Sequence, residues 1–179
     1  MAIIKVHDRF FEPFILSDEI EKRVKLIAKE ISKEYEYKNP LFLAVLNGAF
    51  MLAADLLREI QFQSEISFVK ISSYQGTKST DSIKELIGFT ESLTNREVII
   101  IEDIVDTGLS MKHILEQVHA LKPASVKVVT LLLKKAALKH PVQTDYIGFE
   151  IENKFVVGYG LDYDGVGRNL PHIYVEKTV

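Results

Sequence analysis

The apolar residues of this chain change their period several times, and each change marks an element. Ile20, Val24, Ile27, Ala28 and Ile31 recur at helical spacing behind Ser17 and Asp18, either of which can cap a helix. LFLAVL, residues 41–46, is a continuous apolar run suited to a buried parallel strand, and Asn47-Gly48 turns it toward a helix over 49–59. Residues 64–71 and 85–89 read as strands flanking SSYQGTKSTDS, a polar stretch too long for a tight hairpin. Residues 97–101 begin a second strand-turn-helix unit, whose helix shows Ile114, Leu115, Val118 and Leu121 on one face and stops at Pro123. Further strands are predicted at 126–133, 146–149, 155–157 and 173–175. With no repeat, low-complexity tract or linker, the pattern predicts one α/β domain over residues 1–179. Its mainly parallel sheet is flanked by helices, with ligands at the carboxyl ends of the strands.

Composition narrows the function classes. The formal net charge of −3 leaves no basic footprint for nucleic acid and no polybasic membrane signal, so any polyanion must be captured locally. There is no cysteine, which removes disulfides, thiolate metal sites and cysteine nucleophiles together. MAIIKVHDRFF is interrupted by Lys5, His7, Asp8 and Arg9 before a signal-peptide core can form, and no run approaches a membrane span, so a cytoplasmic location is expected. His113 and His119 are six apart on a helix and point to different faces, which argues against a structural zinc. Phe10, Phe11 and Phe14 cluster in the first forty residues, to pack either on the core or between subunits.

The chemistry concentrates in IEDIVDTGLS, residues 101–110, which continues the apolar strand of Val98, Ile99 and Ile100. From Asp106 through Thr107, Gly108, Leu109 and Ser110 the chain offers consecutive amides, two hydroxyls and a helix start, which can cradle a phosphate monoester without a lysine. Glu102 and Asp103, one turn of backbone earlier, can accept hydrogen bonds from a ribose diol. Acids beside a phosphate cradle describe a sugar phosphate. The alternative, acids that merely cap a helix, leaves Glu102 and Asp103 unexplained at an apolar strand end. The pattern of an ordinary P-loop, G-x-x-x-x-G-K-[ST], is absent.

VIIIEDIVDTGLS, residues 98–110, closely resembles the phosphoribosyl-pyrophosphate signature of type I phosphoribosyltransferases. DYIGFEIENKFVVGYGLDYDGVGR, LLLKK and VLNGAF resemble the corresponding segments of the hypoxanthine-guanine members, so the likeness runs from about residue 40 onward. It implies the type I phosphoribosyltransferase fold, with a small hood and a mobile loop holding Ser73 and Tyr74. It also implies transfer of 5-phosphoribosyl from phosphoribosyl pyrophosphate to N9 of hypoxanthine, and of guanine, in a homodimer or homotetramer that uses Mg2+.

By the same resemblance Asp106 is the general base, and residues 102, 103 and 106–110 bind the phosphoribosyl donor. Leu46, Asn47, Gly48 and Arg168 face the pyrophosphate. Lys134, Phe155, Val156 and Asp162 meet the purine, and Glu102, Asp103 and Asp162 lie on the metal side. An ammonium offers only donors, which suits an oxo purine and disfavours adenine. Read singly, Phe155 could be a core aromatic, Lys134 a solvated strand end, Asn47-Gly48 a simple turn and Asp164 a turn former beside Gly165. Many relatives carry a basic residue where Asn47 stands, and some carry lysine in place of Leu109. The competing readings are a nucleotide-sensing regulator on the same fold and a transferase for adenine, xanthine or a pyrimidine.

Overall fold

The computed structural model describes residues 2–73, 83–89 and 91–177. Its main sheet contains β3 (Leu41–Leu46), β4 (Glu65–Ser73), β5 (Ile83–Ile87), β6 (Glu97–Val105), β7 (Ser125–Leu133) and β8 (Tyr146–Glu150), in the spatial order β5-β4-β3-β6-β7-β8. All neighbouring pairs are parallel except β4 with β5. Helices α1 (Ser17–Tyr35) and α2 (Phe50–Glu59) cover one face, packing Ile20, Val24, Ile27, Leu52 and Leu56 on Phe42, Ala44, Ile99 and Ile101. On the other face α3 (Leu109–Ala120) packs Met111, Ile114 and Val118 on Leu43, Val45, Val98 and Ile100. Both faces are thus dry, which explains why these strands read as unbroken apolar runs rather than alternating ones.

Two strands precede α1 that the periodicity does not predict. β1 (Ile4–Val6) and β2 (Arg9–Ile15) join β10 (Ile173–Glu176) and β9 (Val156–Val157) in a second, antiparallel sheet of order β1-β2-β10-β9. Ile15, Val156, Ile173 and Val175 belong to the main core, while Phe11, Val157 and Tyr174 form a small core on the opposite face. The phenylalanine cluster is therefore divided: Phe11 is fully buried, and Phe10 and Phe14 are exposed. This small sheet answers to the expected hood.

Several boundaries move for local reasons. Leu16, not Ser17 or Asp18, caps α1: its amide donates to Glu19 Oε2 at 3.0 Å, while the Ser17 amide donates to His172 Nδ1 at 2.9 Å. β6 runs on through Glu102 and Asp103 to Val105 instead of ending at residue 101, because Glu102 pairs in register with Thr130 of β7. On α3 the buried stripe is Met111, Ile114 and Val118, and Leu121 caps the helix exposed to solvent. No helix among the described residues is long and apolar enough to cross a membrane.

Candidate active site

The chain crosses from β3 through α2 to β4 on one side of the sheet, and from β6 through α3 to β7 on the other. The strand order therefore reverses between β3 and β6, and open α/β sheets bind ligands in the crevice beyond such a point. Parallel pairing of Ala44 with Ile101 and of Val105 with Leu133 brings the ends of β3, β6 and β7 together there. A cavity of about 270 Å³ is lined by residues 102–111, Glu102 to Met111. An adjoining one of about 200 Å³ is lined by Leu46, Asn47, Gly48, Glu102, Asp103, Ser110, Asp162 and Arg168. Larger hollows of about 390 Å³ lie elsewhere, one of them against α1 and α2 with Glu21, Asp55, Glu59 and Arg58 in its wall, but neither is lined by the loops that follow β3 and β6.

The phosphate loop is held from behind. Gly108 caps α3 with φ +81, and a Cβ there would stand 2.2 Å from the His140 carbonyl oxygen, so the position demands glycine for both its torsion and its room. The Thr107 carbonyl accepts from the amides of Lys139 and His140, each at 3.0 Å, tying the loop to the segment after β7. Thr107 and Ser110 remain exposed toward the cavity mouth.

Glu102 is buried and its neighbour Asp103 partly so. Burial, then the charge of Asp103, pushes the Glu102 carboxyl well above the usual carboxylate range. Burial also raises Asp103, against the opposing pull of its hydrogen bonds and of Arg168. Asp103 Oδ1 accepts from the Ile104 amide at 2.8 Å. Two carboxylates side by side resist double ionisation even with Arg168 near Asp103, so the pair is prepared for hydroxyl donors or a metal to restore both charges.

Gly48 is the contact point of the pyrophosphate loop. A Cβ there would fall 1.5 Å from Asp103 Oδ2, and a Cβ on Gly160, φ +100, would fall 2.1 Å from the Gly48 carbonyl oxygen. The loop thus runs between a carboxylate and another backbone with no room for a side chain, and the Leu46–Asn47 peptide within it is cis. Arg168 Nη2 lies 2.6 Å from Asp162 Oδ1, and its Nη1 donates to the Gly160 carbonyl at 2.7 Å. Asp162 Oδ2 accepts from the Gly165 amide at 2.7 Å. Asp164, at φ +46 beside Gly165, lies outside both cavities, as a turn former would.

Lys134 Nζ lies 2.7 Å from Asp106 Oδ2. The lysine is buried at 6% exposure, so a solvated strand end does not describe it. Val156 is buried in β9, whereas Phe155 is 37% exposed and lines neither of the two acid-lined cavities. Ser73 ends β4, and Tyr74 falls outside the described residues.

The model for the phosphoribosyl transferase domain matches residues 15–164. The chain belongs to that family. Among phosphoribosyltransferases, the hypoxanthine-guanine-xanthine enzyme of Tritrichomonas foetus is 42% identical over 161 residues, covering 89% of this chain and 88% of that one. The hypoxanthine-guanine enzyme of Bacillus subtilis is 41% identical over 164 residues, 91% of each. The bifunctional protein TilS/HprT of Listeria innocua is 39% identical, but this chain spans only 27% of its length. Of solved structures, a hypoxanthine phosphoribosyltransferase from Staphylococcus aureus superposes with TM-score 0.88 at 36% identity, covering 93% of this chain and 91% of that one. The Trypanosoma cruzi hypoxanthine phosphoribosyltransferase gives 0.88 at 33% identity, covering 97% and 95%.

Sequence reasoning about this phosphoribosyltransferase missed Gly160 and Tyr159. Tyr159, between Gly158 and Gly160, donates its hydroxyl to Asp55 Oδ2 at 2.7 Å and so anchors the strip that backs the pyrophosphate loop. The alternating glycines of GYG were the available signal, since two positive-φ residues around a buried tyrosine imply close backbone contact.

Proposed function

We propose that this chain is a purine salvage transferase, moving the 5-phosphoribosyl group from phosphoribosyl pyrophosphate to N9 of hypoxanthine, and of guanine, with release of pyrophosphate. The observation that carries this reading is the Lys134–Asp106 pair beside the phosphate loop. On a 6-oxopurine, O6 and N7 share one edge; an ammonium and a carboxylate 2.7 Å apart offer that edge a donor and an acceptor side by side. Adenine would turn an amino group toward the ammonium, leaving two donors facing each other.

In the reaction, amides and hydroxyls of Thr107, Gly108, Leu109 and Ser110 hold the 5-phosphate, while Glu102 and Asp103 accept from the ribose hydroxyls. As N9 bonds to ribose C1, the C1–oxygen bond to pyrophosphate breaks and its electron pair leaves with the pyrophosphate. Asp106 takes the imidazole proton of the purine, at N7, as the ring becomes neutral. Arg168 and the amides of Leu46, Asn47 and Gly48 receive the charge that develops on pyrophosphate. With Asn47 and Leu109 in place of basic residues, this stabilisation falls mainly to amides and Arg168.

The donor set fits magnesium. Glu102, Asp103 and Asp162 line one cavity, where the ligands they offer are carboxylate oxygens. That arrangement suits Mg2+, which is bound through one or two carboxylates together with substrate phosphates, and which neutralises leaving-group charge as a Lewis acid. Ser73, at the end of β4, and Tyr74, outside the described residues, are assigned the task of excluding water from the cation-like ribose centre. The assignment extends to a homodimer or homotetramer working in the cytoplasm.

The direct test is a spectrophotometric assay with hypoxanthine, phosphoribosyl pyrophosphate and Mg2+, repeated with guanine, xanthine and adenine. Turnover with hypoxanthine and none with adenine is expected. Binding of nucleotide without turnover of any base would refute the reading and leave a sensor.

A further inference from the structure

The hood holds a cluster that the mechanism above does not use. The Arg9 guanidinium carbon lies 4.8 Å from the ring centroid of Tyr163 and 5.4 Å from that of Phe155. Its Nη1 donates to both carboxylate oxygens of Glu176, at 3.1 and 3.3 Å. The two rings meet edge to face, 5.5 Å apart at 86°, and Phe155 leans on the fully buried Phe11 at 6.0 Å. The Tyr163 hydroxyl donates to Asp8 Oδ1 at 2.8 Å. One cation therefore engages two aromatic rings while a carboxylate at the end of β10 fixes it in place.

A partly exposed arginine–glutamate pair such as this one contributes little by itself. Its consequence here comes from what the guanidinium touches. A half-exposed phenylalanine is free to change rotamer, and a base that stacks on it must first order it. A planar guanidinium held on the ring does that ordering in advance. Tyr163 extends the effect, because it directly follows Asp162, which faces the acid-lined cavity beside Arg168.

We infer that Arg9, held by Glu176 and braced on Tyr163, is a positioning residue that pre-orders Phe155 for purine stacking and so sets affinity for the base rather than for the phosphoribosyl donor. The inference rests on the proposed purine transfer and on the family resemblance, which implies that Phe155 meets the purine by stacking on its ring.

The test is steady-state kinetics of Arg9→Ala, Glu176→Gln, Phe155→Ala and the Arg9→Ala/Phe155→Ala double variant, with thermal unfolding of each. Arg9→Ala raises the hypoxanthine KM about tenfold, with donor KM and kcat within about twofold of the parent. Glu176→Gln, which keeps the buried surface intact, shifts the same KM about threefold. Phe155→Ala raises it as well, and in the double variant loss of Arg9 adds nothing further. An unchanged hypoxanthine KM in both Arg9→Ala and Glu176→Gln overturns the inference while a raised value in Phe155→Ala leaves the platform standing. An unchanged value in Phe155→Ala removes the platform itself. Equal rises in both substrates' KM, or effects that multiply in the double variant, also overturn it, since either means a general structural role.

Discussion

Lys134 and Asp106 are neighbours because β7 and β6 are in parallel register: Val105 pairs with Leu133, and the residue just past the end of each strand carries one member of a 2.7 Å ion pair. The pair stands at the sheet's carboxyl edge with the lysine buried and the aspartate half exposed. A buried ammonium needs its counter-ion, and the aspartate, being accessible, can still meet substrate. Asp106→Asn keeps the size and leaves the phosphate loop in place. It is expected to lower kcat by roughly two to four orders of magnitude with little change in donor KM. Near-parental turnover in that variant would remove Asp106 as the base.

Lys134→Ala separates recognition from proton transfer. Loss of the ammonium should raise the hypoxanthine KM by about tenfold or more and narrow the gap between hypoxanthine and adenine. If competition by adenine is as weak as in the parent, the lysine does not read the 6-position.

Gly48→Ala tests the pyrophosphate loop. A methyl group 1.5 Å from Asp103 Oδ2 cannot be accommodated without moving either the loop or the carboxylate, and Gly160 closes the other side. Donor affinity should fall by at least about tenfold, measured by calorimetry with phosphoribosyl pyrophosphate and Mg2+, because loop amides and the diol acceptor are displaced together. Unchanged donor affinity would show that the loop does not carry the pyrophosphate.

The central sheet was legible because burial on both faces leaves continuous apolar strands, and IEDIVDTGLS was legible because acids at an apolar strand end have no packing explanation. The hood was not. β1 is a three-residue strand that pairs only with β2, β2 pairs on its other side with β10, more than 150 residues away, and Phe10, Phe11 and Phe14 look alike until that pairing decides which is buried. The Arg9 cluster has the same cause: Arg9, Phe155, Tyr163 and Glu176 meet only across sheet order β2-β10-β9. The Lys134–Asp106 contact lay between these cases, since each residue stood out by type but only the register joined them.

Glu102 shows a cost of the site to the ligand-free protein. Its folded-state pKa lies above the unfolded value, so the stability linked to its proton is fully present below the ordinary carboxylate range and is lost as pH rises through the folded value. Above the ordinary carboxylate range the folded site therefore carries a cost until hydroxyls or a metal meet the carboxyl. Glu102→Gln should raise the melting temperature of the ligand-free protein at pH 7.5 and shrink that gain toward acid pH, while lowering donor affinity by about tenfold. A lower melting temperature at neutral pH would contradict the burial argument.

Three tyrosines should govern the alkaline limit. Burial pushes Tyr35 up to about 12. Tyr146 and Tyr159 are carried higher still, by burial and by donating to Glu34 and Asp55, each at 2.7 Å. In the unfolded chain a tyrosine titrates near about 10, so the native state holds these protons longer. Their contribution is intact below that pH and declines as pH climbs toward the folded values. Urea midpoints measured from pH 8 to 11.5 should therefore fall steeply above pH 10, and Tyr146→Phe and Tyr159→Phe should each flatten the decline. The two variants part in their kinetics. Tyr159 anchors the GYG strip whose Gly160 lies against Gly48, so its loss should also raise donor KM severalfold, whereas Tyr146, which pairs with Glu34 of α1, should leave donor KM unchanged. Equal donor KM in both variants would mean that the Asp55 anchor stabilises the fold without shaping the pyrophosphate loop.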